Sequence, residues 1–322
     1  MVAMEARKLQ RVGASFLISV PKRWVKTHTL EKGSTILVHE RADGMLIIDP
    51  GLAEEPLRRR NVITVSENAS RNILAAYLAG YDVIEVNLGN AMTPALKRDI
   101  KSMALFLVGV EIIEEDAGKM TLQCLIPRTI DLRTYLQRTY GIAGKMHEDA
   151  IRAFIRNDPE LAQDVINRDR EVDRLYFLVV RQLRRAIAAP AGDLLLSPLN
   201  LLDYRLVAKE VEAIADSGAS IAEQIVSDPN SPRPPQQFVK LLRELSHQVL
   251  LAHRQAIAAV LQQETALARN VIGQKDAITK LVHRLTEILA HEDTVSLALF
   301  NRVVHHLERI FESSVDIADL VI

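Results

Sequence analysis

The sequence predicts a multidomain, mainly α chain: a small N-terminal β unit, a small α/β domain, then tandem three-helix bundles. Three observations predict it. Residues Lys145 to Ile322 repeat themselves without a gap when shifted by 106 positions, so that His147, Ala150, Ile151, Ala153, Leu161, Ala162, Val165, Ile166 and Leu175 fall on His253, Ala256, Ile257, Ala259, Leu267, Ala268, Val271, Ile272 and Leu281. The proline-rich stretch Asp228 to Pro235 divides that half of the chain. Before Asp131, apolar residues recur at strand spacing between short helical segments; after it they recur at helical spacing.

Taken in order, Arg7 to Val12 and Ser15 to Val20 flank Gly13-Ala14, Pro21 opens a helical turn ending near His28, and Thr35 to Glu40 meets Met45 to Asp49 across Arg41 to Gly44. About fifty residues without disulfide or metal bury too little surface to be secure alone. A homodimer is therefore expected, with residues 1–50 as the dimerisation domain. Pro50 to Arg60 reads as a solvated connection. In the α/β domain, 58–130, Val62 to Val65 is a strand, Ser70 caps a helix through Ala79, and Val83 to Leu88 is a strand. Thr93-Pro94 opens a helix to about Val108, and Glu111 to Glu115 pairs with Met120 to Ile126. Gly80, Gly89 and Gly109 lie too far apart for a phosphate loop. The first bundle, 131–227, has helices starting at Pro159 and Pro198; the second, 236–322, has helices near Gln236 to Gln263, Ala266 to Ala290 and Asp293 to Leu320.

Composition narrows the function classes. Of 322 residues, 40 are Lys or Arg and 41 are Asp or Glu, so the net charge of −1 gives no whole-chain attraction to nucleic acid or membrane. The single cysteine, Cys124, excludes an intrachain disulfide or a cysteine metal site and reads as a buried thiol. The apolar run Met103 to Val110 is far short of the roughly 20 residues that span a bilayer, and residues 1–20 lack a secretory pattern. A cytoplasmic protein with no membrane insertion is expected.

Two acidic pairs carry the chemistry. Asp169 and Asp173 share one helix and Glu212 and Asp216 another, each at i, i+4 spacing, which puts both carboxylates on one face within roughly 5–6 Å at Cβ. Like charges at that spacing repel, and a divalent or iron-type ion such as Mg²⁺, Mn²⁺ or iron would neutralise four gathered carboxylates. The alternative is a solvated acidic face compensated by Arg168, Arg170 and Arg174. His147 and His253 read as packing histidines, and the adjacent His305 and His306 point to different helix faces.

The string Arg205 to Val226 and its echo Arg302 to Ile322 resemble the third-helix signature of PhoU proteins, roughly L-E-R-I-G-D-H-A-x-N-I-A-E, and Asp169 to Asp173 resembles the family's other acidic motif. The resemblance covers about residues 133–322. It implies cytoplasmic negative regulators of phosphate uptake built of two three-helix bundles, some holding metal clusters, with ligands here at Asp169, Asp173, Glu212 and Asp216. In the second bundle Lys275 and Thr279 replace the first pair, Asp276 is one residue out of register, and Glu308 and Glu312 remain. One competent and one degraded metal site are expected.

Residues 1–26 carry a net charge of +5, from Arg7, Lys8, Arg11, Lys22, Arg23 and Lys26 against Glu5. Such a patch is either a solvated basic face or a surface for phosphate backbones. Arg7 to Trp24, Leu30 to Gly33 and the strand pair to Asp49 resemble the AbrB-type (SpoVT/AbrB-like) swapped-hairpin DNA-binding domain, with Gly13-Ala14-Ser15 in place of the usual glycine-arginine. The variant resembles the front end of archaeal proteins that join such a domain to PhoU bundles. The resemblance implies double-stranded DNA as partner, contacted by Lys8, Arg11, Lys22 and Arg23, with Trp24 packed beneath the helix turn. The expected function is a DNA-binding transcriptional regulator of phosphate uptake. The alternative is an adaptor that contacts a phosphate transporter's ATPase or a sensor kinase without DNA. No nucleophile and base constellation marks an enzyme.

Overall fold

The computed structural model describes residues 6–40, 44–50, 59–64, 68–87, 89, 93–127, 131–188, 197–228, 232–290 and 293–322. The turn at 41–43, the connection at 51–58, the strand ends at Val65 and Leu88 and the centre of the proline-rich break at 229–231 lie outside them. The chain divides into an N-terminal unit within residues 1–57 and a second unit built from 58–189 and 195–322.

In the N-terminal unit, β1 (Gln10–Val12) pairs antiparallel with β2 (Ser15–Leu17), Val12 opposite Ser15. Gly13, at φ 63°, takes the left-handed position this two-residue turn requires. The helix α1 (Lys22–Thr27) follows Pro21, whose missing N–H costs nothing at a helix start. A second antiparallel pair, β3 (Leu37–Glu40) and β4 (Leu46–Asp49), aligns Val38 with Ile48. Both pairs are shorter than the apolar runs predict. None of the described residues of 6–50 is buried, and Leu9, Val12, Phe16, Leu17, Ile18 and Leu46 are exposed. One copy of this unit has strands but no core.

The second unit begins with β5 (Arg60–Thr64), α2 (Ala69–Leu78), β6 (Val83–Asn87), α3 (Pro94–Phe106), β7 (Val110–Glu115) and β8 (Lys119–Cys124). The sheet order is β5-β6-β8-β7; β5 and β6 run parallel, and the other neighbours are antiparallel. Alternation sends Ile63, Ile84, Val86, Met120 and Leu122 to one face, where they pack with Ile73, Tyr77, Ile100 and Leu107. The opposite face is a ladder of charges, with Arg60 2.7 Å from Glu85 and Lys119 3.1 Å from Glu114. Thr93 caps α3 as expected, its side chain accepting from Leu96 N at 3.2 Å. Ser70 does not cap α2: Asn68 occupies that position, and Ser70 Oγ instead donates to Asp99 O on α3 at 3.5 Å. Cys124 is half-buried, more accessible than its apolar run suggests.

The helices that follow form two bundles. The first holds α4 (Leu132–Arg156), α5 (Pro159–Ala188) and α6 (Pro198–Ser227). The second holds α7 (Gln236–Gln262), α8 (Thr265–Gly273), α9 (Lys275–Leu289) and α10 (Thr294–Asp319). The expected single helix from Ala266 to Ala290 is therefore broken at Gln274. Gly273 stands where the first copy has Asn167, and glycine inside a helix costs about 1 kcal/mol relative to alanine. The duplication is otherwise visible in the backbone: α4 and α7 end in left-handed residues at equivalent positions, Asn157 (φ 51°) and Gln263 (φ 56°). His147 and His253, Ala150 and Ala256, and Val165 and Val271 are all fully buried. No helix among the described residues is long and apolar enough to cross a membrane.

The bundles meet where α4 crosses α7, and the contacts there are themselves exchanged images. His147 Nε2 lies 3.0 Å from Ser246 Oγ, while His253 packs edge-on against Tyr140, the equivalent of Ser246, with ring centroids 4.6 Å apart. Burial lowers the pKa of His147 to about 4 and that of His253 to about 3, the latter also through the neighbouring His147 and Arg254. Both rings are neutral in the folded chain but take up protons below about 6.5 once unfolded. Their contribution is present above pH 6.5 and is lost as pH falls below it, because the unfolded state then binds more protons. Urea unfolding between pH 7.5 and 5 should show a stability loss toward acid, and His253→Phe should flatten that loss. An unchanged slope in His253→Phe would remove the assignment.

Candidate functional site

The four predicted carboxylates lie on the facing sides of α5 and α6. Asp169 and Asp173 are one turn apart near the middle of α5, Glu212 and Asp216 one turn apart on α6. Oxygen atoms of Asp173, Glu212 and Asp216 all lie within 4.8 Å of one another. Asp169 falls outside that tight trio but feels it: burial first, then the charges of Asp173, Asp216, Glu212 and Glu223, push its pKa up to about 7. Asp216 is raised to about 6 by burial and then by Glu212, with Lys209 and Arg309 pulling the other way. Burial and Glu212 also raise Asp173. The group is acidic beyond what its surroundings neutralise.

The compensation considered from sequence is not what the arginines do. Arg168 turns to Asp149 at 2.8 Å and Asp164 at 3.0 Å, and Arg174 donates to the Phe106 carbonyl at 2.8 Å. Among the described residues Lys209 pairs with the cluster through Glu212 and lies over the Tyr176 ring at 5.9 Å, while Arg309 acts on Asp216 through its charge. Sequence reasoning missed Lys209 and Glu223. Both were accessible by helical arithmetic: Lys209 is three residues before Glu212, and Glu223 seven after Asp216, on the same face.

The residues fit a hard or borderline cation. Every donor is a carboxylate oxygen, and burial followed by mutual repulsion raises their pKa values, a cost that a bound cation would relieve. Across the duplication the arrangement is not repeated. Thr279 donates its hydroxyl to the Lys275 carbonyl at 2.9 Å, Asp276 is exposed in the first turn of α9, and Glu308, raised by burial and by Glu312, gathers no third ligand among the described residues. His305 and His306 have ring centroids 6.0 Å apart with planes at 51°.

On the N-terminal unit, Lys8 precedes β1, Arg11 lies within it and Lys22 and Arg23 open α1; all four are exposed. Arg11 Nε donates to the Gly13 carbonyl at 3.2 Å. Trp24 is half-buried, its ring 5.1 Å from that of His28.

Comparison with known proteins matches the bundles. The family model for the PhoU domain matches residues 136–225 and 242–321. The phosphate-specific transport system accessory protein PhoU homolog of Aquifex aeolicus (strain VF5) is 26% identical over 172 residues, covering 50% of this chain and 75% of that protein. Among solved structures, PhoU from Pseudomonas aeruginosa aligns with a TM-score of 0.55 at 21% identity, over 59% of this chain and 93% of the other. The phosphate transport system regulatory protein PhoU from Streptococcus pneumoniae aligns with a TM-score of 0.53 at 16% identity, over 59% and 91%. The structural matches establish the bundle fold, and the family match, covering both copies of the duplication, establishes that this chain belongs to the PhoU domain family.

Proposed function

We propose that this chain regulates phosphate uptake as a homodimeric adaptor, through protein contact with a phosphate transporter's ATPase or a sensor kinase, and that its first bundle carries a regulatory metal ion. The observation that carries the metal part is the convergence of Asp173, Glu212 and Asp216 within 4.8 Å, with Asp169 electrostatically joined to them. Such an ion would supply charge neutralisation that fixes α5 against α6; the chain's own residues hold it through carboxylates, with Lys209 fixing Glu212. Family membership and the likeness to a phosphate-specific transport system accessory protein support the adaptor part. The dimer is supported by the coreless N-terminal unit, whose exposed apolar residues a second copy would cover. Purified chain should bind the ATPase subunit of the host's phosphate transporter in calorimetry. Absence of binding to both that subunit and the cognate sensor kinase would overturn the adaptor reading.

A second reading adds DNA binding by the N-terminal unit, favoured by the exposed cluster of Lys8, Arg11, Lys22 and Arg23 on paired short strands. Arg11→Ala combined with Lys22→Ala should then weaken duplex binding and reduce the salt slope by about two phosphates per protomer. A double variant that binds duplex like the parent would assign those charges to solubility alone.

A further inference from the structure

The four-stranded sheet of the α/β domain ends in two edges, β5 and β7, and they differ. On β7 the register shifts between Ile112 and Glu114, and Glu111, Glu114 and Glu115 are all exposed. A bulge and charged side chains keep an edge strand from pairing with another chain. β5 carries neither guard. Its five residues pair with β6 without a register shift, and its one charged residue, Arg60, is already held 2.7 Å from Glu85.

The direction of the backbone groups on β5 follows from one contact. The Arg59 carbonyl accepts from Val83 N at 3.1 Å, so Arg59 faces β6. In a parallel ladder successive residues turn their N–H and C=O groups to opposite sides. Asn61 and Ile63 therefore bond toward β6, while Arg60, Val62 and Thr64 direct theirs outward, where no other strand lies among the described residues. Because Ile63 is buried in the core against Ile73 and Ile100, the side chains of Arg60, Val62 and Thr64 leave on the opposite face of the sheet. Val62 is 55% exposed there.

This edge is complementary to itself. Two copies of β5 set antiparallel about Val62 place Val62 on Val62 and Arg60 against Thr64, so no like charges meet, and each facing pair exchanges both N–H···O bonds, about six in all. We propose that β5 pairs with β5 of a second copy, joining two four-stranded sheets into one across a two-fold axis at Val62. Pairing of β5 with β7 would instead run on without closing, and the bulge and acidic residues of β7 oppose it.

A five-residue contact alone is smaller than the roughly 1,000 Å² of a stable interface. The pairing therefore rests on the dimer reading of the N-terminal unit. Only residues 50–59 separate β4 from β5, so two paired N-terminal units tether the β5 strands at an effective concentration on the order of millimolar. The contact reaches the acidic cluster through the chain's own bonds. The Arg59 backbone N–H, next to Arg60, donates to Asp82, which pairs with Arg185 on α5, the helix of Asp169 and Asp173.

Full chain carrying Val62→Cys should form a disulfide-linked dimer under mild oxidation, because the facing Cα atoms lie about 5.5 Å apart, within the range a disulfide bridges. Arg60→Cys, with Cα atoms roughly 15 Å apart in that register, should not link. Neither should the parent, whose one cysteine is Cys124. Sedimentation equilibrium reads the dimer itself. Val62→Pro removes an outward N–H and leaves the β6 ladder its bonds, and Val62→Lys sets like charges face to face at an exposed position. Each should raise the dimer dissociation constant at least about tenfold, with far-ultraviolet circular dichroism unchanged. A parent that sediments as a monomer would overturn both the N-terminal dimer and this pairing. A parent dimer that gives no link with Val62→Cys, or that Val62→Pro and Val62→Lys leave equally tight, would overturn the β5 contact alone.

Discussion

Asp173→Ala combined with Asp216→Ala should lower Mn²⁺ or Fe²⁺ affinity at least about a hundredfold, since altering even outer partners of a metal ligand costs 10–100-fold. The paired change Glu308→Ala with Glu312→Ala should leave it unchanged. The difference follows from geometry: one trio of carboxylates converges in the first bundle, and Lys275 and Thr279 replace the partner pair in the second. Without metal, the Asp173 and Asp216 variant should be more heat-stable than the parent, because two carboxylates that burial and then mutual repulsion disfavour are gone. Affinity should also fall as pH drops from 7.5 to 5.5: carboxyls with pKa values of about 7 and about 6 are increasingly protonated across that window and must lose the proton to ligate. Calorimetric titration at several pH values measures both effects. Unchanged stoichiometry and affinity in the double variant would remove the metal site from this bundle.

Asp82→Ala should destabilise the second unit by about 3–5 kcal/mol, the usual cost of stripping the counterion from a buried charge. Asp82, immediately before β6, accepts from the Arg59 backbone N–H at 3.0 Å and from Arg185 Nη1 at 3.0 Å, and it lies 3.6 Å from Arg181 Nη2. Arg181 is fully buried; it donates to the Tyr77 carbonyl at 2.6 Å and stands over the Tyr77 ring at 4.8 Å, while its Nε has no partner. Arg181 and Arg185 belong to α5, the helix that also carries Asp169 and Asp173. One rigid helix thus joins the acidic cluster to the α/β domain. Adding Arg181→Met to Asp82→Ala should recover part of the loss, because it removes the orphaned guanidinium. Urea unfolding of the single and double variants reads this out, and a loss below about 1 kcal/mol in Asp82→Ala would show that the ion pairs hold nothing together.

How far the sequence reaches is clear from particular residues. Asp169 and Asp173 share a face because four residues advance a helix by little more than one turn, so the pairing is legible in residue order alone. That Asp169 stands outside the trio was not, because it depends on how α5 and α6 are set against each other. The Arg168 salt bridge to Asp149 spans 19 residues and joins two helices, and no local pattern announces it.

The sequence by itself determined the two bundles, their helix starts at Pro159 and Pro198, the acidic pairs and the loss of one pair in the second copy. Helical periodicity, capping and duplication are local or repeating signals carried by residue order. Only the tertiary structure decided that Arg168 and Arg174 turn away from the acidic cluster, that Arg181 and Arg185 dock the α/β domain through Asp82, and that His147 meets Ser246 while His253 meets Tyr140. The docking pairs lie about a hundred residues apart. Contacts of that separation follow from packing of whole helices, which minimises the apolar surface exposed to water without leaving a mark on neighbouring residues.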